Sequence, residues 1–146
     1  MTVPARVSLA TLGVADVARA TEFYSSLGWR LSPASVPGVV SFFHTAGGLL
    51  ALAGTDDLAA GAGLPTPMAP ANDFRGTLLA INVESPAAVD EGLRAAVTAG
   101  ATLAKAGSAA EWGGYIGYFT DPDGHLWEIT YNPDFPLDES GIPRLP

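Results

Sequence analysis

One carboxylate in the sequence lies where it could do acid–base chemistry. Glu128 stands between Trp127 and Ile129, in a segment whose neighbours are apolar. Partial burial among such neighbours raises the pKa of a carboxyl group and suits it to proton transfer near neutral pH. The functional interpretation is a general base, or an anchor for an amine or hydroxyl group of a ligand. The structural alternative is a side chain that hydrogen-bonds a neighbouring tyrosine or a backbone amide.

Aromatic side chains and a histidine could complete a site around this carboxylate. Trp112, Tyr115 and Tyr118 precede or lie on the strand that leads towards Glu128, where they could stack on a flat ligand or pack in a core. Because side chains alternate along a strand, Tyr115 and Tyr118 fall on opposite faces, and the sequence leaves open which of them faces a ligand. His44 is either a ligand contact or base, or an ordinary histidine at the end of a strand.

The composition excludes several kinds of function. Seven Lys and Arg against fifteen Asp and Glu give a net charge of −8, which disfavours nucleic acid as a partner. The absence of cysteine excludes disulfides, thiolate zinc sites and cysteine nucleophiles. No apolar run approaches the ~18 residues of a membrane-spanning helix, and the first residues do not have the pattern of a secretory signal. We therefore expect a cytoplasmic protein whose partner is a small molecule, with no nucleic acid and no membrane.

The elements that would position these side chains fall into two halves of similar order. In the first half, a strand over residues 7–14 precedes a helix that Asp16 caps and Gly28 ends. The strands predicted after this helix are a short one over residues 29–31 and two more over residues 39–44 and 49–53.

The second half repeats this order. A strand over residues 77–83 precedes a helix that begins after Ser85 and ends at Gly100. The turn Asp121-Pro122-Asp123-Gly124 is typical of a connection between two strands, because proline presets one backbone dihedral and glycine accepts a positive one. The strands predicted after the helix lie over residues 101–105, 115–120 and 126–131.

Counting through both halves gives a correspondence between them. Phe43 matches Phe119, and equal counting through each turn places Leu52 opposite Glu128. The segment between the halves is rich in Ala, Gly and Pro and is predicted to be a linker or flap. The predicted organisation is one domain of residues 1–146, with a first module over 7–53, the linker over 54–76, a second module over 77–132 and a C-terminal arm over 133–146.

Two of these patterns resemble the vicinal oxygen chelate superfamily, which includes glyoxalase I, bleomycin resistance proteins and extradiol dioxygenases. One is Leu-Gly-Val-Ala-Asp before a helix that ends Phe-Tyr-Ser-Ser-Leu-Gly-Trp, over residues 12–16 and 23–29. The other is the closing run from Phe119 to Glu128, Phe-Thr-Asp-Pro-Asp-Gly-His-Leu-Trp-Glu. The resemblance covers residues 7–132. It implies an α+β fold of two tandem βαβββ modules whose mixed sheets curl around a cleft, and a homodimer.

The resemblance also implies which four positions face the cleft. In metal-dependent members, each module contributes one ligand from its first strand and one from its last strand. Carried over to this sequence, the first-strand positions are Leu9 and Leu78, and the last-strand positions are Leu52 and Glu128. Leucine has no donor atom, and one carboxylate does not hold a divalent cation against water. The sequence therefore predicts no metal and no other cofactor.

Three functions stay open. The first is a metal-free protein that binds a small apolar or aromatic molecule, as drug-sequestering resistance proteins of this superfamily do, with Glu128 as its polar anchor. The second is a glyoxalase-like lyase, isomerase or dioxygenase that uses a divalent metal or Glu128 as base. The third is a non-catalytic interaction subunit. The candidate ligand-binding residues are Leu9, His44, Leu52, Leu78, Trp112, Tyr115, Tyr118 and Glu128.

Overall fold

A computed structural model describes residues 2–66 and 73–146 of the chain as an α+β protein. The chain divides into two compact units, Met1–Met68 and Ala69–Pro146, which are described one at a time. The first unit contains β1 (Leu9–Val14), α1 (Val17–Ser26), β2 (Val40–Thr45), β3 (Gly48–Gly54) and α2 (Thr55–Ala62). The second contains β4 (Leu78–Asn82), α3 (Pro86–Ala99), β5 (Thr102–Ala109), β6 (Tyr115–Thr120) and β7 (Leu126–Tyr131).

Both long helices begin and end where the sequence predicts. The Asp16 carboxylate accepts a hydrogen bond from the Arg19 backbone N–H at 3.1 Å, and the Ser85 hydroxyl accepts one from the Ala88 N–H at 3.1 Å. Each bond satisfies a donor that the first turn of a helix leaves without a partner. After the helices, Gly28 and Gly100 take positive φ angles of 87° and 117°, which residues with a side chain rarely adopt.

The first unit has a three-stranded sheet in the order β1-β3-β2. β1 runs parallel to β3, and β2 runs antiparallel to it. The short strand predicted over residues 29–31 is reduced to an isolated bridge between Leu31 and Phe43, beside the outer edge of β2. One side of the sheet packs on α1, where the rings of Tyr24 and Phe43 are fully buried with their centroids 5.9 Å apart.

Part of the predicted linker is helical. Residues 55–62 form α2, which packs against β1 and β3 of the first unit. Alanine favours helix more than any other residue, and two carboxylates in the first turn, Asp56 and Asp57, interact favourably with the helix dipole. The mixture of Ala, Gly and Pro that predicted a linker or flap over residues 54–76 therefore contains a short helix. Residues 67–72 of the linker lie outside the described residues.

The second unit is a complete βαβββ module. Its sheet has the order β4-β7-β6-β5, with β4 parallel to β7 and the other pairs antiparallel. α3 lies close to this sheet because glycines stand at the contacts: a Cβ atom on Gly117 would overlap the Leu93 side chain, and one on Gly92 would come within 2.8 Å of Ile129. The packing of α3 therefore defines one face of the sheet as its core side.

The C-terminal arm is held by one carboxylate. Asp138 accepts hydrogen bonds from the backbone N–H groups of Ser140 and Ile142 at 2.8 and 3.0 Å, and from the Arg144 guanidinium at 2.8 Å. These bonds hold the pKa of Asp138 below its usual value, the Ile142 amide contributing most. Within residues 2–66 and 73–146, no helix is long and apolar enough to cross a bilayer.

Candidate functional site

The sheet of the second unit has two faces of different character. Gly117 and Ile129 face α3, and so do Phe119 and Trp127, whose rings stack at a centroid distance of 6.2 Å. Because side chains alternate along a strand, the residues between these point away from α3. We call this second side the Glu128 face; across β4, β7 and β6 it comprises Leu78, Ala80, Asn82, Leu126, Glu128, Thr130, Ile116, Tyr118 and Thr120.

A carboxylate–phenol pair lies at the centre of the Glu128 face. Glu128 on β7 stands directly opposite Tyr118 on β6, so the phenol and the carboxylate lie side by side on this face. Burial raises the pKa of Glu128, and hydrogen bonding with Tyr118 opposes this rise without cancelling it. Burial and the adjacent carboxylate together raise the pKa of the Tyr118 phenol. The pair therefore keeps its donor proton on Tyr118 and its acceptor oxygens on Glu128.

The neighbours of this pair are mainly apolar. On β4, Ala80 stands directly opposite Glu128, and Leu78 stands opposite Leu126 one step along the same face. A carboxylate beside a phenol in such surroundings can accept a proton from a carbon, oxygen or nitrogen acid, or can accept a hydrogen bond from a bound molecule. It has no neighbouring cation within the described part of the chain that lowers its pKa.

Two polar side chains extend the Glu128 face beyond the pair. Thr130 follows Glu128 on the same face of β7, and Asn82 stands opposite Thr130 on β4. The Thr130 hydroxyl oxygen is buried and has no hydrogen-bond partner among the described residues. The residue pattern had not indicated a role for Thr130 or Asn82. Alternation from Glu128 could have identified Thr130, whereas Asn82 requires knowledge of the parallel register.

The two tyrosines that the sequence left undecided lie on opposite faces. Tyr118 accompanies Glu128, whereas Tyr115 faces α3 and its hydroxyl donates to the Asp90 carboxylate at 3.1 Å. Tyr115 also packs over Gly107, where a Cβ atom would lie 2.6 Å from the ring. The structure thus separates Tyr115 from the Glu128 face and gives it a partner on the helix.

Trp112 lies just before β6. Its side chain is 51% exposed, and its six-membered ring lies against Gly114 so closely that a Cβ atom there would overlap it. The hydrogen bond between the Ala110 N–H and the Gly114 carbonyl, at 2.9 Å, closes the turn that carries the indole. Trp112 is therefore a surface side chain at the start of β6, held over its own turn.

In the first unit, the position equivalent to Glu128 belongs to Ala51. Phe43 and Phe119 both face the helix of their own unit, but Phe43 pairs with Leu50, seven positions on, and Phe119 pairs with Trp127, eight positions on. The hairpin of the first unit is one residue shorter, so the equal counting that matched Leu52 with Glu128 is wrong by one position. A shift of one residue moves a side chain to the opposite face of a strand.

Leu52 accordingly lies on the core side of its sheet. It pairs with Ser41, whose hydroxyl lies 2.7 Å from that of Thr21 on α1, and it is fully buried. Leu52 therefore packs beneath α1, and Ala51 takes its place on the side facing away from that helix. Leucine and alanine are both apolar, so neither Leu52 nor Ala51 offers a side-chain donor atom to a metal ion.

Leu9 and His44 share the Ala51 side of the first unit. Both flank Leu49, which stands two residues before Ala51 on β3. Leu9 is 40% exposed, and Leu78 in the second unit is 37% exposed, so both first-strand leucines present apolar surface outside the cores. His44 is exposed, and its backbone N–H donates to the Arg30 carbonyl at 3.0 Å.

The side chains at the positions where the superfamily resemblance implies metal ligands do not fit a divalent cation. Glu128 supplies one carboxylate, and the positions that correspond to the other three ligands carry Leu78, Leu9 and Ala51. No group of three or more His, Cys, Asp or Glu side chains that could hold a metal occurs within the described ranges. Divalent cations require several oxygen or nitrogen donors from the protein. The one carboxylate of the Glu128 face is therefore too few donors for such a cation.

Comparisons with solved structures agree with this fold. A glyoxalase-related enzyme from Fulvimarina pelagi matches 97% of this chain and 99% of its own at 29% identity, with a TM-score of 0.83. TioX from Micromonospora sp. ML1 matches 84% of this chain and 95% of its own at 25% identity, with a TM-score of 0.61. A lactoylglutathione lyase from Agrobacterium tumefaciens shares the fold at 21% identity, covering 88% and 95% of the two chains with a TM-score of 0.67.

The sequence itself also matches a family model. No curated protein matches the chain. The model of the Glyoxalase/Bleomycin resistance protein/Dioxygenase superfamily matches residues 6–129, which is most of the chain and covers the larger part of each unit. The resemblance drawn from the opening and closing motifs is confirmed, and the chain belongs to the Glyoxalase/Bleomycin resistance protein/Dioxygenase superfamily.

Proposed function

We propose that this protein binds a small apolar or aromatic molecule on the Glu128 face without a metal ion. The observation that carries the proposal is the half-buried Glu128–Tyr118 pair with Ala80 and Leu78 beside it. Binding sites for small organic molecules are mainly apolar, with a few polar groups that fix orientation. Glu128 and Tyr118 supply an acceptor and a donor at one point, and the neighbouring strand supplies apolar contact area.

The identity of the residues at the ligand positions of the family supports a metal-free site. Leu9 and Leu78 contribute apolar surface where metal-dependent members need donor atoms. Leucine at these positions favours contact with the apolar part of a small organic molecule. Trp112 at the start of β6 is a further candidate contact, since its exposed indole could stack on a flat ligand. His44 is a weaker candidate because its side chain is exposed.

An experiment on the purified protein tests this proposal directly. We expect elemental analysis to give less than a stoichiometric amount of transition metal, and neutral aromatic compounds to raise the Tm, because a ligand that binds only the folded state stabilises it. Replacing Leu78 with Asp should abolish the shift, whereas Leu103→Asp, on the α3 side of β5, is the matched control. A stoichiometric metal ion coordinated by Glu128, or the same shifts in the Leu78→Asp variant, would contradict the proposal.

Catalysis by Glu128 is the second candidate function. Its raised pKa and its phenol neighbour are the properties of a general base that removes a proton from a bound substrate and returns it. A glyoxalase-like isomerase or lyase reaction of this kind would lose its activity in Glu128→Gln and keep substrate binding. If no compound binds and no activity depends on Glu128, the third alternative, a non-catalytic interaction subunit, is favoured.

The assembly and location of the protein are further expectations. Family membership supports a homodimer, which light scattering on the full chain tests. The absence of cysteine suits the reducing cytoplasm, which cell fractionation tests.

A further inference from the structure

The chain contains one lysine, and the second unit places it beside the candidate site. Lys105 is the only lysine among the 146 residues. It lies on β5, the edge strand of the sheet, and stands opposite Tyr118. Directly opposed residues in a ladder lie on the same face. Glu128, Tyr118 and Lys105 therefore form one row across three strands of the Glu128 face.

Two irregularities in β5 put Lys105 on this face. Leu103 pairs with Phe119 and Lys105 pairs with Tyr118, so Ala104 is an extra residue in the ladder. Without that extra residue, Lys105 would stand opposite Gly117 and would point towards α3. A second register shift lies between Lys105 and Ser108. It places Ser108 opposite Ile116, which lies on the Glu128 face. Bulges of this kind redirect individual side chains and are common beside functional sites.

The ammonium group of Lys105 is available to a ligand. Lys105 is exposed, and its side chain forms no hydrogen bond or ion pair among the described residues. Other cations of the second unit are placed elsewhere. Arg75 donates to the Asp123 carbonyl, Arg144 pairs with Asp138, and Arg94 lies on α3. In a chain of net charge −8, Lys105 is thus the cation that this row offers to an anion.

We propose that the Glu128 face binds a small organic acid, an inference that rests on the proposed ligand-binding function. Lys105 pairs with the carboxylate of the ligand, and Glu128 accepts a hydrogen bond from an O–H or N–H group at its other end. The Cα atoms of Glu128 and Lys105 are two strand spacings apart, about 10 Å. An apolar or aromatic body of the ligand lies over Tyr118 between the two anchors.

Indole-3-propionate is a probe with this arrangement, since its carboxylate and its N–H group lie at opposite ends of an apolar body. Indole-3-propionamide is its neutral match. We expect the wild-type protein to bind the acid about five- to tenfold more tightly than the amide in calorimetric titrations, because a hydrogen bond to a charged group is the stronger kind. Lys105→Met should remove this preference and leave the affinity for the amide unchanged.

Two further variants separate charge from structure. Lys105→Arg should keep the preference for the acid, and Arg94→Met, which removes a cation from the opposite side of the unit, should leave both affinities unchanged. Reductive methylation with ¹³C-formaldehyde retains the charge and labels Lys105 as the one lysine signal. That signal should shift when the acid is added and not when the amide is added.

Several outcomes would overturn the inference. Equal affinity for acid and amide would leave the proposed binding function intact but remove the role of Lys105. An effect of Lys105→Met on self-association alone would assign the lysine to protection of the β5 edge, a common use of lysine on edge strands. Failure of the acid to bind at millimolar concentration would also reject the inference, and failure of all neutral aromatic compounds as well would reject the proposed function itself.

Discussion

Tyr118 stands directly opposite Glu128 across the β6–β7 ladder, on the side of the sheet that faces away from α3. This pairing places the glutamate that ends the closing motif beside a phenol on the neighbouring strand. Hydrogen bonding with Tyr118 lowers the pKa of Glu128, but burial raises it more, so the pKa of this carboxyl group stays above its usual value. The stability and the ionisation of the protein should both respond to this pair.

The first prediction concerns stability as a function of pH. A carboxyl group whose pKa is raised in the folded state stabilises the fold in its protonated form, so its contribution is present below the pKa of the unfolded chain and is lost as the pH rises through the raised value. Glu128→Gln keeps the hydrogen-bond acceptor and removes the charge. We therefore expect its Tm at pH 7 to exceed that of the wild type.

Thermal unfolding measured between pH 3.5 and 8 checks this prediction. The difference between Glu128→Gln and the wild type should shrink to nothing at the acid end, where the wild-type carboxyl group is also neutral. Glu91→Gln, a change at an exposed carboxylate on α3, is the matched control and should show no such pH-dependent gain. A lower Tm for Glu128→Gln at pH 7 would mean that ionised Glu128 stabilises the fold.

The second prediction concerns the pKa of Glu128. Tyr118→Phe removes the donor that favours the ionised carboxylate, so the pKa of Glu128 should rise further above its usual value. Titration of the side-chain carboxyl carbon by NMR measures the change. Tyr115→Phe is the matched control, because it removes a phenol on the same strand whose hydroxyl donates to Asp90 on the opposite face. It should leave the pKa of Glu128 unchanged. Equal effects of the two variants would show that the bond from Tyr118 is unimportant.

Local signals in the sequence predicted most of the fold. Asp16 and Ser85 cap helices, Gly28 and Gly100 follow them, and the turn after Phe119 joins two strands, because each of these features acts over a few residues. The α2 helix was not predicted, because it is only eight residues long and lies in a segment where glycine and proline accompany the alanines.

The arrangement of the site could be predicted only in part. Glu128 was identified from its apolar neighbours, but the side of Tyr118 depends on which face α3 covers, and that is a matter of tertiary packing. The correspondence of Leu52 with Glu128 failed because the two hairpins differ by one residue. The position of Lys105 depends on a bulge in β5, which leaves no recognisable signal in the residue pattern.

The third prediction concerns the C-terminal arm. Asp138 has a lowered pKa, so its contribution to the order of the arm is present above the usual value for aspartate and is lost as the pH falls through the lowered value. Asp138→Ala should increase hydrogen exchange at the Ile142 and Ser140 amides, because both lose their acceptor. Asp134→Ala, a nearby change outside this network, is the control. Unchanged exchange in Asp138→Ala would mean that the arm is held by other contacts.

The fourth prediction concerns the close packing of α3 on the sheet. A Cβ atom on Gly117 would overlap the Leu93 side chain and lie 3.0 Å from the Gly107 backbone nitrogen, so Gly117→Ala forces the helix and β5 away from β6. We expect a loss of about 1–3 kcal/mol in the free energy of unfolding, measured with urea. The matched control is Gly61→Ala in α2, where a Cβ atom would meet nothing within 4 Å and alanine should be neutral or stabilising by up to ~1 kcal/mol. The two faces of the sheet were assigned on the basis that α3 covers Gly117 and that Tyr118 points away from α3. A similar loss of stability in Gly117→Ala and Gly61→Ala would contradict that assignment.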